Sequence, residues 1–151
     1  MDDMGIFRTI IGIESLARRG PVVQLPDTLV DTGSEYSWVP AAVLDGLGIA
    51  RERVQRFVIA DGRILERPIG FAVVHAGGTT TADDVVFAEP DDLILLGARS
   101  LEGLNLRVDP ARKELVPAGP ILAAAGGRVW PPAYWERLDG LPPLSDDFAA
   151  P

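Results

Sequence analysis

Glycine, proline and aspartate interrupt this chain so often that no long helix has room to grow. The 151 residues include 16 Gly and 13 Pro. Between the interruptions Val, Ile, Leu and Phe recur in short runs, the pattern of many short strands. FRTIIGIES (Phe7–Ser15) reads as a strand, LARRGP as a turn, VVQL as the start of the next strand, and DTLVDTG as a strand running into a turn. PAAVLDGLG (Pro40–Gly48) has Pro at its start and Gly at its end, which predicts a short helix. VQRFVIADGRILERPIGFAVV is two strands joined at Asp61-Gly62, a strong hairpin signal. TTTADDVVFAE is a further strand, DLILLG a short apolar one, ARSLEGL a helix of about two turns, and LNLRVDPARKELVP a hairpin around Asp109-Pro110. After Pro120 the composition shifts to Pro, Gly and Ala, so residues 121–151 read as a tail with one short helix at PPAYWERL. The body, residues 4–120, is therefore expected to be mainly β with two short helices, closed or strongly curved.

Composition narrows the function classes. A chain of 151 residues fits one domain and can bury a core without staples. With no Cys there is no disulfide framework and no thiolate chemistry. A single His gives little support to a His-based metal site or a Ser-His-Asp triad. The formal charge of -8 repels phosphate backbones, so nucleic acid is not an expected partner. The start, MDDMGIFRTI, places two acids where a secretory signal carries basic residues, and no apolar run approaches membrane-spanning length. A cytoplasmic protein with no membrane partner is expected.

The stretch TLVDTGSEYSWVP, Thr28 to Pro40, carries the chemistry. Asp before Thr-Gly is ordinary turn chemistry on its own, because the carboxylate can accept from the backbone two residues on. Here an apolar strand leads into it, Trp38-Val39-Pro40 follows, and LILLGARSLEGL comes later in the chain. Together these resemble the aspartic proteases. Asp31-Thr32-Gly33-Ser34 looks like their active-site strand, and Leu95-Leu96-Gly97 resembles the two-aliphatics-then-Gly motif that ends each catalytic unit. The short length and single Asp-Thr-Gly are similar to the retropepsins and their bacterial retroviral-like relatives, over about Phe7 to Pro117.

The resemblance implies a retropepsin-like closed β-barrel, half of an acid protease, active as a two-fold homodimer. Two like charges in contact cannot both ionise, so a pair of carboxylates shares one proton. The ionised member takes a proton from a water that attacks the peptide carbonyl, and the protonated member polarises that carbonyl. One chain carries one Asp-Thr-Gly, so the second Asp31 comes from a second chain on the axis. The implied activity is an aspartic endopeptidase acting on a peptide or protein substrate, with Asp31, Thr32 and Gly33 catalytic and no metal or organic cofactor. Thr32 is implied to bond across the axis, and Gly33 to leave room for substrate. A Ser34 hydroxyl donating to the carboxylate would lower its pKa.

The resemblance also assigns substrate contacts: Ser34 and Glu35 beside the dyad, and Ala60, Asp61, Gly62 and Arg63 at the tip of a hairpin that closes over substrate. The family places an Arg after the Gly of its second motif; here Ala98 stands there and Arg99 follows, which leaves a Glu35–Arg99 ion pair open. Trp38 reads as an aromatic that either lines the substrate cleft or fills core, with core the default, and His75 as a surface residue before a turn. The acidic pairs Asp83-Asp84, Asp91-Asp92 and Asp146-Asp147 read as solvated charge. Trp130, Tyr134 and Trp135 are apolar for an idle tail, and could pack on the body, the dimer interface or the cleft. The alternative function is a catalytically silent binding or assembly module that keeps the fold.

Overall fold

A computed structural model describes residues 6–123 and 132–142. The chain divides into two compact units between Gly119 and Pro120. The first unit is mainly β, with strands β1 (Ile6–Ser15), β2 (Val22–Asp31), β3 (Ser37–Pro40), β4 (Arg53–Val58), β5 (Ile64–Ala76), β6 (Thr79–Ala88), β7 (Leu95–Leu96), β8 (Leu106–Asp109) and β9 (Glu114–Pro117). Helices α1 (Ala41–Gly46) and α2 (Ala98–Leu104) complete it. In the second unit α3 spans Pro132–Asp139, where the sequence predicts its helix. Trp130 and Asp146-Asp147 lie outside the described residues, as do the side chains of Tyr134 and Trp135.

The large sheet runs β1-β2-β7-β3-β6-β5-β4, and β1 also pairs with β5. That extra pairing closes six strands into a ring. β4 and β1 share the same side of the long β5: β4 pairs with residues 64–69 and β1 with residues 72–75. The expected closed barrel is corrected to an uneven ring, because β7 contributes only Leu95 and Leu96 and meets β3 at one pair, Trp38 with Leu95. Ile13, Val30, Val39, Val74, Phe87 and Leu96 are buried inside it. Each such side chain is worth about 1.5–3 kcal/mol of transfer free energy.

One irregularity decides which way Asp31 faces. The sequence reads VVQL and DTLVDTG as separate pieces, but Val22–Asp31 is one strand carrying a bulge. Thr9 pairs with Thr28 and Ile11 with Leu25, so Pro26 and Asp27 stand opposite Ile10 alone. Proline cannot donate to the ladder, and a bulge is where a strand tolerates it. The freed Asp27 carbonyl accepts from Arg8 Nη1 at 3.0 Å, and Thr28 Oγ1 donates to the Leu25 carbonyl at 3.1 Å. Before the bulge Val23 and Leu25 are the more buried residues; after it Thr28 and Val30 are. The extra residue shifts the alternation by one, so Asp31 leaves the phase of the core residues.

Candidate active site

Asp31 ends β2 half-buried and turns the chain at once. Its Oδ1 accepts the Gly33 N–H at 2.9 Å and its carbonyl accepts the Ser34 N–H at 3.2 Å. A Cβ on Gly33 would lie 3.3 Å from Asp31 Oδ1, crowding the carboxylate. Beyond the turn β2 and β3 do not pair with each other; β7 occupies the place between them, parallel to β2 and antiparallel to β3.

The two sequence motifs meet at this point. Gly97 follows β7 and lies flat against the turn: a Cβ there would be 2.4 Å from the Tyr36 carbonyl oxygen and 2.8 Å from that of Glu35. Only Gly permits that approach. The Ala98 N–H then donates to Ser34 O at 2.7 Å and the Arg99 N–H to Glu35 O at 3.0 Å. The first amides of α2, which no residue within the helix can satisfy, are thus capped by the carbonyls of the Asp31 loop.

Behind the loop sits a charged and hydroxylic cluster. Arg99 does not pair with Glu35. Its guanidinium lies 4.7 Å from the Tyr36 ring centre and donates to Asp84 Oδ1 at 2.7 Å. Arg53 donates to Asp84 Oδ2 at 2.9 Å and to the Tyr36 hydroxyl at 3.2 Å. The side chains of Asp83 and Asp84 are only 10% and 13% exposed, which corrects the reading of this pair as solvated. Burial pushes the Asp83 carboxyl up from its ordinary value. Burial acts upward on Asp84 more than any other single influence, but the hydrogen bonds from Arg53, at Asp83 and from the backbone, with the nearby Arg99 charge, together outweigh it and the net direction is down.

Two adjoining cavities flank the loop. One of about 310 Å3 is lined by Asp31, Ser34, Trp38, Ile59, Leu65 and residues 91–93 and 95. The other, about 390 Å3, shares Ser34, Trp38 and Ile59 with it and adds Glu35, Tyr36 and Phe57. Phe57 meets Tyr36 edge-on at 5.6 Å between ring centres and Trp38 at 5.0 Å, joining the β4–β5 hairpin to the loop. Trp38 is therefore a half-buried cavity wall rather than core.

The remaining expected residues are placed as follows. Thr32 is exposed, and its hydroxyl has no partner within the chain among the described residues. Ser34 Oγ donates to the Tyr36 carbonyl at 3.1 Å, so its single proton is not given to a carboxylate. Ala60, Asp61, Gly62 and Arg63 are exposed at the hairpin tip; in the single chain their neighbours Ile59 and Leu65, not they, line the Asp31 cavity. Asp92 is not free charge either: Arg67 grips it with Nε at 2.7 Å and Nη2 at 3.0 Å, while Asp91 stays exposed. His75 is half-buried and bonded through Nε2 to the buried Glu14 at 2.7 Å. Among the described residues no three acidic or imidazole groups converge where a metal could bind, and no helix is long and apolar enough to cross a membrane.

Sequence reasoning missed Ser37, Asp83 and Ser100, whose link appears only once β3, β6 and α2 are packed together. Asp83 carried a weak signal, as an acid just before the Val-Val-Phe run of its strand. No protein-family model matches this chain, and no curated protein matches it.

Proposed function

We propose that this chain is an aspartic endopeptidase of the retroviral type, in which two Asp31 carboxylates, one from each subunit of a two-fold homodimer, activate a water against a peptide bond. The observation that carries this reading is the clamp between the two motifs: Gly97, Ala98 and Arg99 close on the carbonyls of residues 34–36 and hold the Asp31 turn at the rim of a cavity. One chain supplies one such carboxylate. A second copy related by a two-fold axis supplies the other, and the pair then shares a proton. Thr32, exposed beside Asp31 with its hydroxyl unpartnered in the chain, is available to that second copy. Ile59 and Leu65, at the foot of the hairpin loop, wall the cavity where substrate would lie.

The test is cleavage of a diverse peptide mixture by wild type and Asp31→Asn, from about pH 4 to about pH 8 to bracket the range of a coupled dyad, with products read by mass spectrometry and the assembly sized at the same concentration. Cuts made by the wild type alone support the peptidase. No cuts from a protein that sizes as a dimer would favour a silent binding module, and a protein that is only monomeric would defeat the shared site.

A further inference from the structure

Two buried serine side chains connect Gly97 to a carboxylate on β6. The Gly97 N–H donates to Ser37 Oγ at 2.9 Å. Ser37 Oγ lies 2.6 Å from Ser100 Oγ. Ser100 Oγ donates to Asp83 Oδ2 at 2.8 Å. Both serines are fully buried. The two ends fix the direction of the chain. A peptide N–H can only donate, and an ionised carboxylate can only accept. Ser100 has one proton and gives it to Asp83, so the short contact between the serines is filled by the Ser37 proton. Each hydroxyl receives one hydrogen bond and gives one, and no orientation is left free.

We propose that Asp83 is a positioning residue for the Asp31 turn, acting through Ser100 and Ser37 on the Gly97 peptide. This rests on the peptidase reading of the site but can be tested apart from it. The relay ends on the residue that lies against the Tyr36 carbonyl, and the next amide, Ala98 N–H, donates to Ser34 O. Asp83 is itself held: its Oδ1 accepts the Asp84 N–H at 2.8 Å, and Arg99 stands 3.8 Å from it. The acceptor at the far end is thus fixed to the β6 backbone, and the relay carries that fixity to the loop that presents Asp31. A network with every member satisfied and aligned is stiffer than its bonds taken one by one.

The test uses the full chain, labelled for amide hydrogen exchange by NMR, with Asp83→Ala, Ser100→Ala and the conservative Asp83→Asn, which keeps a carbonyl oxygen for Ser100. The amides to follow are Gly97 and Ala98 on the clamp and Gly33 and Ser34 on the turn. Those of the β8–β9 hairpin serve as an internal control. Exchange at the four site amides is expected to rise about tenfold in Asp83→Ala and Ser100→Ala, the scale of one buried hydrogen bond and the partner it leaves unpaired. The control amides are expected to hold, and Asp83→Asn, which keeps the acceptor for Ser100 but loses the one for the Asp84 N–H, to rise less than Asp83→Ala. On a cleaved peptide kcat is expected to fall about tenfold with KM little changed, because turn geometry acts on the reacting groups rather than on uniform binding. Site amides unchanged, site and control amides rising together, Asp83→Asn failing as badly as Asp83→Ala, or unchanged kcat in an active enzyme would each overturn the proposal. If the wild type cleaves nothing, the peptidase reading falls and the amide comparison still decides the relay. Should Ser100→Ala fail to fold, Asp83→Ala against Asp83→Asn makes the same comparison.

Discussion

The chain builds the same small turn at Asp31 and at Asp61 and treats it in opposite ways. At Asp31 a carboxylate oxygen accepts the N–H two residues on, at 2.9 Å from Gly33. At Asp61 a carboxylate oxygen does the same, at 2.9 Å from Arg63. The first turn is then covered by Gly97 and the opening amides of α2. The second projects at a hairpin tip, where Asp61 also receives Arg63 Nε at 2.6 Å and Ile59 N–H bonds Arg63 O. Val58 and Ile64 flanking it are 75% and 51% exposed. Identical local chemistry therefore sets neither rigidity nor role. What packs on the turn does.

The sharpest way to break that contrast is a single methyl group. Gly97→Ala drives a Cβ into the Tyr36 and Glu35 carbonyls, and backbone cannot step aside. The expected cost is about 3 kcal/mol or more, or failure to fold, measured by urea denaturation. Gly62→Ala probes the other turn. Its φ of +88° is unfavourable for Ala, but nothing lies within 4 Å of the new Cβ. An equal loss in the two variants would erase the distinction between the turns.

A middle-sized effect lies at the stem of the hairpin. Arg67 on β5 and Asp92 beside the Asp31 cavity are 11% and 12% exposed as side chains and pair through two hydrogen bonds. Asp92→Ala leaves that guanidinium with the Glu66 carbonyl and, as its nearest remaining charge, the more distant Glu89, and is expected to cost about 2–3 kcal/mol. The hydrogen bonds from Arg67 lower the Asp92 carboxyl from its usual 3.8. A lowered carboxyl stabilises the fold above its unfolded value and loses that contribution as pH falls through the folded one. The stem clamp is therefore expected to hold above about pH 4 and to weaken in stronger acid. Denaturation at stepped pH should show less acid loss in Asp92→Asn.

Glu14 provides a second acid window, away from both turns. Hydrogen bonds from Arg19, from the Gly20 N–H and from His75 take its carboxyl from 4.5 to about 2. Stability from Glu14 is present above pH 4.5 and drains away toward pH 2. Glu14→Gln is expected to flatten that part of the stability–pH curve, and an unchanged slope would refute it. The smallest effects belong to the hairpin tip. Gly62→Ala is expected to cost about 1 kcal/mol, and Arg63→Ala, which removes an exposed ion pair, under about 0.5 kcal/mol.

Local signals were the readable ones. The strands, the α2 segment, the hairpins at Asp61-Gly62 and Asp109-Pro110 and the two motifs around Asp31 and Gly97 are each written in a few adjacent residues. Misreadings came where a partner far along the chain decides the outcome. Asp83, Asp84 and Asp92 looked like surface charge because their arginines, at positions 53, 99 and 67, come from other elements. Trp38 looked like core because nothing nearby announces a cavity. The bulge at Pro26–Asp27 was invisible because only its opposing strand reveals the extra residue. The Glu35–Arg99 pair, left open because one step along a helix turns a side chain by about 100°, does not form, and Arg99 finds Asp84 instead.

The late arrival of β7 also governs the order in which this protein can be made. Leu29 and Val30 pair with Leu95 and Leu96, across most of the first unit's length. A chain emerging from the ribosome has released Asp31 and its turn long before the strand that fills the place beside it. Until residues 95–104 appear, the turn has neither its neighbour nor its clamp. Pairings that distant close slowly. A growing chain carries the aspartate but not yet its clamp, so the activity proposed above would have to wait for synthesis of residues 95–104.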